Sequence, residues 1–366
     1  MARIVVTAGP IPAKLDSVKY VTNRFKGGLA IKTAKMLVDM GHDVFLVCWE
    51  HMDHSGVENW CNVITVEDVN DYVDAVLELG KGIQVDMYVL AAAVANLMPS
   101  EPYEGKFPSH RYKVGDKFNV EFEIAPRLID QIKEKYPRAS LVGYKLYDGT
   151  DDELIYAARK TLYDSKANIV FANHPKWAKE RKIVLTQDGS EYECSFDEHV
   201  KLIHKLANST FYTTHIVAGE YDVGVEIPES YPKAIKDGRM YGTFAVRDNK
   251  GFWTTTRGKA GGEKALAYVI DVDHLNRVVF ATEKATLNAP LLHRMFQINP
   301  HLNILYHGHN LVGEMVHTEY EFPGSDGDLK FAKTVESGHA IQLTNHGYLV
   351  GFSSIEEAKE VKLELK

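Results

Sequence analysis

The sequence predicts an α/β protein of two domains, the first on a Rossmann-like parallel sheet, the second with more antiparallel pairing. Three observations lead there. At 366 residues the chain is too long for one core, at roughly 150 residues per domain. Up to about Ser209, short apolar runs alternate with helical spacings, the rhythm of an open parallel sheet with helices on both sides. Beyond that point the rhythm changes to hairpin signals.

Ile4–Thr7 is the first apolar run and stops at Ala8-Gly9-Pro10. From Gly27 to Met40, apolar residues at Leu29, Ile31, Ala34, Met36, Leu37 and Met40 fall close to helical spacing, and Gly41 ends the segment. Asp43–Cys48 reads as a second strand and Val66–Leu79 as a second helix. Asp86–Ala93 reads as a third strand, apolar throughout and so covered on both faces. Ala125–Lys135, Leu141–Tyr144, Asp152–Ser165 and Ile169–Ala172 continue the alternation. In the second half, Phe244–Arg247 and Gly251–Thr256 flank the turn Asp248-Asn249-Lys250-Gly251. Val278–Ala281, Ile304–His307 and Ile341–Leu343 are further strands, with a helix from Pro290 to Gln297. The turn-rich stretch 214–232 lacks a helical pattern, which sets domains at 1–213 and 230–366 with 214–229 as linker.

Composition excludes several classes. A chain 45% hydrophobic and 25% charged is an ordinary globular one rather than disordered or collagen-like. No apolar stretch reaches the roughly 18 residues of a membrane span; Met87–Met98 is shorter and holds Asn96. The opening lacks the order of a signal peptide. Cys48, Cys61 and Cys194 are odd in number, with no Cys-x-x-Cys pair, and read as thiols of a reducing cytoplasm. A net charge of −8 argues against an extended nucleic-acid surface. The expectation is a cytoplasmic protein with small-molecule substrates, no nucleic acid and no membrane.

The first half has neither Gly-x-Gly-x-x-Gly nor a Walker lysine motif. Its first strand ends at Thr7-Ala8-Gly9-Pro10, and the next helix opens at Asn23-Arg24-Phe25-Lys26-Gly27-Gly28. Glycines there let backbone N–H groups approach a phosphate, with the helix dipole adding positive charge; on this feature alone a plain strand–loop–helix connection is the better reading. Thr7–Pro10, Asp16, Val18, Tyr20, Asn23 and Gly27 together resemble the opening of phosphopantothenoylcysteine synthetase. So do Ala91–Asn96, the loop around Lys106, Val142-Gly143-Tyr144 and Phe171-Ala172-Asn173, over roughly residues 1–210. The resemblance implies a Rossmann-like dimer that joins cysteine to 4′-phosphopantothenate, using CTP or ATP with Mg²⁺ through an acyl-nucleotide intermediate. It implies that Asn23 contacts that intermediate and that Lys106 neutralises phosphate charge. Gly9, Gly27, Ala93, Asn96 and Asn173 would line the nucleotide. Three segments depart from the family: Phe25–Gly28 replaces Ser-Ser-Gly-Lys, Asn96 replaces an acid, and Ala125–Ile129 replaces Thr-Pro-Asp-Ile-Leu.

In the second half, His307-Gly308-His309 follows a strand-like run, and residues two apart on a strand share a face. His346, in Thr344-Asn345-His346-Gly347, gives a third imidazole. Three histidines on one divalent ion leave positions open for substrate. Gly242–Arg247, Gly251–Gly258, Asn299-Pro300, Pro323-Gly324-Ser325 and Asn345–Gly351 resemble, in order, the class II aldolase and adducin head domain family over residues 230–366. That resemblance implies an α/β/α fold, often tetrameric. It implies a divalent metal, zinc first, on His307, His309 and His346, polarising a carbonyl. The family's catalytic acid falls at Asn288, and its phosphate-binding Asn and Ser fall at Thr243 and Ala245. Thr243, Thr255, Thr256, Arg257 and Gly258 form the candidate anion site. The whole reads as a two-domain, homo-oligomeric enzyme (dimer or tetramer), a synthetase-like half fused to an aldolase-like half. The alternative is one catalytic half and one ligand-binding or oligomerisation module, an adducin-like scaffold.

Overall fold

The computed structural model describes residues 1–228, 231–258, 266–309 and 319–360. The chain divides into two units, residues 1–187 with 193–208, and residues 188–192 with 209–366.

The first unit is built on a sheet of β1 (Arg3–Ala8), β2 (Asp43–Trp49), β3 (Asn62–Val66), β4 (Met87–Leu90), β5 (Ser140–Leu146), β6 (Ile169–Asn173), β7 (Arg181–Thr186) and β8 (Glu191–Ser195), of which residues 193–195 belong to this unit. Their order across the sheet is β3-β2-β1-β4-β5-β6-β7-β8. The first six run parallel, and β7 joins antiparallel to β6. The 3-2-1-4-5-6 order is the doubly wound arrangement, whose direction reverses between β1 and β4. Because side chains alternate along a strand, Val5 joins a core with Val47, Tyr88, Leu141 and Val170. Helices α2 (Val69–Gly82), α3 (Leu128–Lys135) and α4 (Asp151–Asp164) bring Val76, Ile132 and Leu162 to the same core. Helix α1 (Gly28–Asp39) packs on β1 and β2 and meets α5 (Phe196–Asn208).

Several boundaries differ from the sequence reading, each for a local reason. The expected strand 86–93 divides: Ala91 N donates to Val89 O at 3.1 Å in a tight turn. Ala93–Val94 then pairs with Pro10–Ile11 instead. Helix α2 starts three residues late because Asp68 caps it, accepting from Asn70 N at 2.9 Å and Asp71 N at 3.1 Å, a bond set worth about 1 kcal/mol. Residues 62–66 before it form β3. Helix α3 starts at Leu128 because Arg127 remains extended. Strands β7 and β8 and helix α5 were absent from that reading, although α5 buries His199, Val200, Ile203 and Leu206 at helical spacing.

The second unit holds another eight strands: β9 (Thr213–Ile216), β10 (Thr243–Asp248), β11 (Gly251–Thr255), β12 (Leu266–Asp273), β13 (Val278–Ala281), β14 (Ile304–Gly308), β15 (Ala340–Leu343) and β16 (Gly347–Phe352). Their order is β9-β13-β12-β11-β10-β14-β16-β15, and the pairings are antiparallel except β9 with β13. Residues 214–216, the start of the expected linker, therefore lie in a sheet strand. Helix α6 (Ala289–Ile298) seals a core of Leu291, Leu292 and Met295 with Leu305, Ile341 and Leu349. Among the described residues no helix is long and apolar enough to cross a membrane.

Candidate functional site

The switch point of the first sheet gathers four of the expected residues. Gly9, just past β1, and Gly27, at the start of α1, both have φ of 75°. A Cβ on Gly27 would lie 2.8 Å from Gly9 Cα and 2.7 Å from Met52 Sδ, so both the backbone angle and the space demand glycine. Ala93 N donates to Gly9 O at 2.8 Å. Asn23 Nδ2 donates to the carbonyls of Ala93 and Val94, each at 3.0 Å. No side chain caps α1 and no acid lies in its first turn, which leaves the positive end of the helix suited to an anion.

The remaining expected residues of this unit are placed differently. Asn96 is exposed, and its carbonyl accepts from Ala125 N at 3.0 Å. Lys106 is exposed on the loop between Pro99 and Phe122. Asn173 ends β6 and is buried with its amide committed: Oδ1 accepts from Lys182 Nζ at 2.9 Å, and Nδ2 donates to Phe171 O at 3.2 Å. Burial pushes the Lys182 ammonium down to about 8. Nearby in the fold, His199 lies against Tyr144, with 2.5 Å between Nε2 and the hydroxyl, and burial pushes its imidazole down to about 3.

In the second unit the three histidines converge. Ring centroids stand 4.8 Å apart for His307 and His309, 4.7 Å for His307 and His346, and 5.8 Å for His309 and His346. The expected metal centre is nevertheless not assembled: among the described residues no three His, Cys, Asp or Glu side chains are set to hold an ion. His307 Nδ1 is 2.9 Å from Tyr348 O, which takes up one of its nitrogens. His346 is 2% exposed, and neither ring nitrogen has a hydrogen-bond partner. Burial pushes it down to about 3. Its turn is forced by two residues in left-handed backbone, Asn345 (φ 56°) and Gly347 (φ 94°), the latter seated against the Gly308 backbone.

The candidate anion residues are split. Thr243 pairs across the sheet with His307, and its hydroxyl meets those of Thr254 at 3.2 Å and Thr255 at 2.5 Å. These hydroxyls are committed to one another inside the sheet. Thr256 and Arg257 are half-buried and Gly258 is exposed with φ 72°. Arg257 Nε is buried without a hydrogen-bond partner, and burial pushes the guanidinium down to about 10. Asn288 sits at the start of α6, 5% exposed, with Oδ1 lacking a hydrogen-bond partner.

Sequence reasoning missed two acids here. Asp188 Oδ2 lies 3.4 Å from His346 Nε2, with both side chains excluded from solvent. Asp328 is fully buried beside Asp188 and Glu321, and burial first, then those charges, push it up to about 8. The Asp188-Gly189 pair signals a turn, but nothing local announces a partner 158 positions away.

Residues 1–209 match the DNA/pantothenate metabolism flavoprotein C-terminal domain family. The chain belongs to that family. A coenzyme A biosynthesis bifunctional protein CoaBC from Thermococcus kodakarensis is 33% identical over 186 residues, 50% of this chain and 44% of that protein. The Bacillus subtilis CoaBC protein is 25% identical over 174 residues, 47% of this chain and 40% of that one. The matches thus span less than half the length of these curated relatives. A solved DNA/pantothenate metabolism flavoprotein from Streptococcus pneumoniae covers 56% of this chain and 96% of its own, at 20% identity and a TM-score of 0.48. For the flavoprotein-family domain, then, the parallel α/β sheet and the synthetase likeness hold. Residues 210–366, the bulk of the second α/β unit, lie outside the matched segment.

Proposed function

We propose that residues 1–209 form a nucleotide-dependent ligase domain of phosphopantothenate–cysteine type. The observation that carries this is the assembly of Gly9, Asn23, Gly27 and Ala93 at the sheet's switch point, beside a helix end without a side-chain cap. A carboxylate oxygen of the phosphopantothenate attacks the α-phosphorus of CTP or ATP, and pyrophosphate leaves. The cysteine amine then attacks the acyl carbon, and the nucleoside monophosphate leaves. Glycine at 9 and 27 lets the two backbones meet at the switch point, and the free N–H groups that open α1 would receive the triphosphate. Asn23, held by its Nδ2, keeps Oδ1 in a fixed direction. Lys106 brings an ammonium to the phosphates, where preorganised charge is a large term. Asn96 carries no charge, so Mg²⁺ enters with the nucleotide rather than through a carboxylate at that position. The test is the full chain with cysteine, 4′-phosphopantothenate, Mg²⁺ and either CTP or ATP, scored by pyrophosphate release. Sustained, multiple-turnover release that needs both 4′-phosphopantothenate and cysteine supports the reading; none with either nucleotide refutes it. Three free thiols fit a cytoplasmic setting, and the expected dimer or tetramer is checked by light scattering.

For the second unit, a metal-dependent, aldolase-like lyase is the further reading. It is favoured by the convergence of three imidazoles on His346, whose two buried nitrogens have no hydrogen-bond partner. Neutral imidazoles suit zinc in kind, and His307, His309 and His346 would hold it after a ring turns. The ion would supply carbonyl polarisation; Arg257, Thr256 and Gly258 would meet a substrate anion. Asn288, an amide, orients rather than abstracts a proton. Metal analysis tests this: zinc bound by wild type and lost from His309→Ala supports it, and equal content in both removes it.

A further inference from the structure

One buried carboxylate of the first unit is unused in the chemistry above. Asp16 is 3% exposed, and both its oxygens are occupied. Oδ1 accepts from Val18 N at 2.8 Å and from Lys19 N at 2.7 Å. Oδ2 accepts from Lys19 Nζ at 2.6 Å and from Phe107 N at 3.1 Å. Two backbone bonds run alongside, Ser17 N to Gly105 O at 3.1 Å and Tyr103 N to Leu15 O at 3.0 Å. The Gly105 carbonyl belongs to the peptide before Lys106, and the Phe107 N–H to the peptide after it. Both peptides flanking Lys106 are therefore held by residues 16 and 17, while the lysine itself is exposed.

A carboxylate is costly to bury unless donors satisfy it, and charge-assisted bonds are the stronger kind. Lys19 above all, and then the three N–H groups, keep the Asp16 carboxyl well below the usual carboxylate range, so it is ionised at neutral pH. A segment that only needed to stay on the surface would not require this. Elsewhere in the loop Tyr112, Val114 and Phe118 are exposed, and the ties at 103–107 are the ones made to residues 15–17.

We propose that Asp16 is a positioning residue, a buried carboxylate that fixes the two peptides around Lys106 and so sets where its ammonium meets the nucleotide phosphates. This rests on the ligase reading, which gives Lys106 a phosphate to meet. The role is one of geometry, not of contact with reacting atoms.

The experiment compares the full wild-type chain with Asp16→Asn, Lys106→Ala and the double variant. Backbone amide exchange is read at Phe107, with Val5 and Val6 of β1 as folding controls. Turnover is read with MgCTP, or MgATP if that is the nucleotide used. Asp16→Asn should speed exchange at Phe107 at least tenfold and leave β1 unchanged. It should lower kcat at least tenfold with KM for cysteine within twofold, and the double variant should be no slower than Lys106→Ala alone. If Asp16→Asn loses β1 protection, Gly105→Ala takes its place. Gly105 has φ 72° and nothing within 4 Å of an added Cβ, so that change strains the same turn without disturbing packing. Unchanged Phe107 exchange, a wild-type kcat despite faster exchange, or additive losses in the double variant would each overturn the proposal. A wild-type chain without turnover overturns the ligase reading, and Lys106's phosphate role with it. Defects confined to the failure pattern above overturn Asp16 alone.

Discussion

His199 of the first unit and His346 of the second are alike in burial, at 1% and 2% exposure, and alike in being pushed down to about 3. They differ in what their nitrogens do. His199 accepts at Nε2 from the Tyr144 hydroxyl and faces Phe196 O from Nδ1 at 3.3 Å, which satisfies a neutral ring completely. Neither nitrogen of His346 has a hydrogen-bond partner, and the nearest charge is the Asp188 carboxylate at 3.4 Å. Burial and a displaced pKa thus do not separate the two rings. Uncommitted polar capacity does, because an unpaired buried nitrogen costs stability that a paired one does not.

The largest expected effect breaks this comparison directly. His199→Ala removes ring packing and strips the buried Tyr144 hydroxyl of its partner, which should cost about 3–4 kcal/mol. His346→Ala, in metal-free protein, removes packing and the ring that faces Asp188 at 3.4 Å, but no hydrogen bond, and should cost about 1–2 kcal/mol. Urea unfolding of both variants at neutral pH gives the two numbers. Equal losses would make His346 a core histidine like His199.

A smaller effect follows from titration. An unfolded histidine titrates near 6.5, while folded His199 holds out to about 3. Between those values the unfolded chain binds the extra proton, so stability is fully present above about pH 6.5 and falls as the pH drops toward 3. The slope is of the order of 1 kcal/mol per pH unit for one such ring. His199→Gln keeps an amide in the cavity but cannot titrate, so its unfolding free energy should fall less steeply from pH 6 to pH 4.5. Identical slopes would mean that His199 is charged in the fold.

The same distinction explains what could be read from the sequence. Periodicity exposed β1, β2, α1, β5 and β6, because each is a contiguous apolar pattern whose environment is set by its own residues. Motif order placed Gly9, Asn23, Gly27 and Ala93 in one neighbourhood, and the switch point brings them into contact. Commitments made at a distance stayed hidden. Asn173 looks like a ligand residue until Lys182, nine positions on, takes its Oδ1. Thr243 and Thr255 look like an anion loop until their hydroxyls are found facing each other. Asp188 reaches His346 through a turn whose sequence says only that the chain reverses. Strand β3 and helix α5 were missed for a simpler reason: β3 is a short edge strand, and α5 follows directly on β8 without a break.

The smallest expected effect separates two adjacent glycines at the opening of α1. Gly27 is fixed by a φ of 75° and by the Gly9 backbone 2.8 Å from where its Cβ would be. Gly28 has no such constraint, and nothing lies within 4 Å of an added Cβ. It is the first residue of the helix, where alanine lowers the entropy of the unfolded chain and favours the helical backbone. Gly28→Ala should therefore stabilise the first unit by about 0.5 kcal/mol. It retains its N–H, so affinity for the Mg-nucleotide should stay within twofold. Gly27→Ala should instead separate the two backbones, with affinity falling together with stability. Thermal unfolding and calorimetric titration of both variants make the comparison. A loss of nucleotide affinity in Gly28→Ala, with stability raised, would show that the open space beside Gly28 is where the ligand sits.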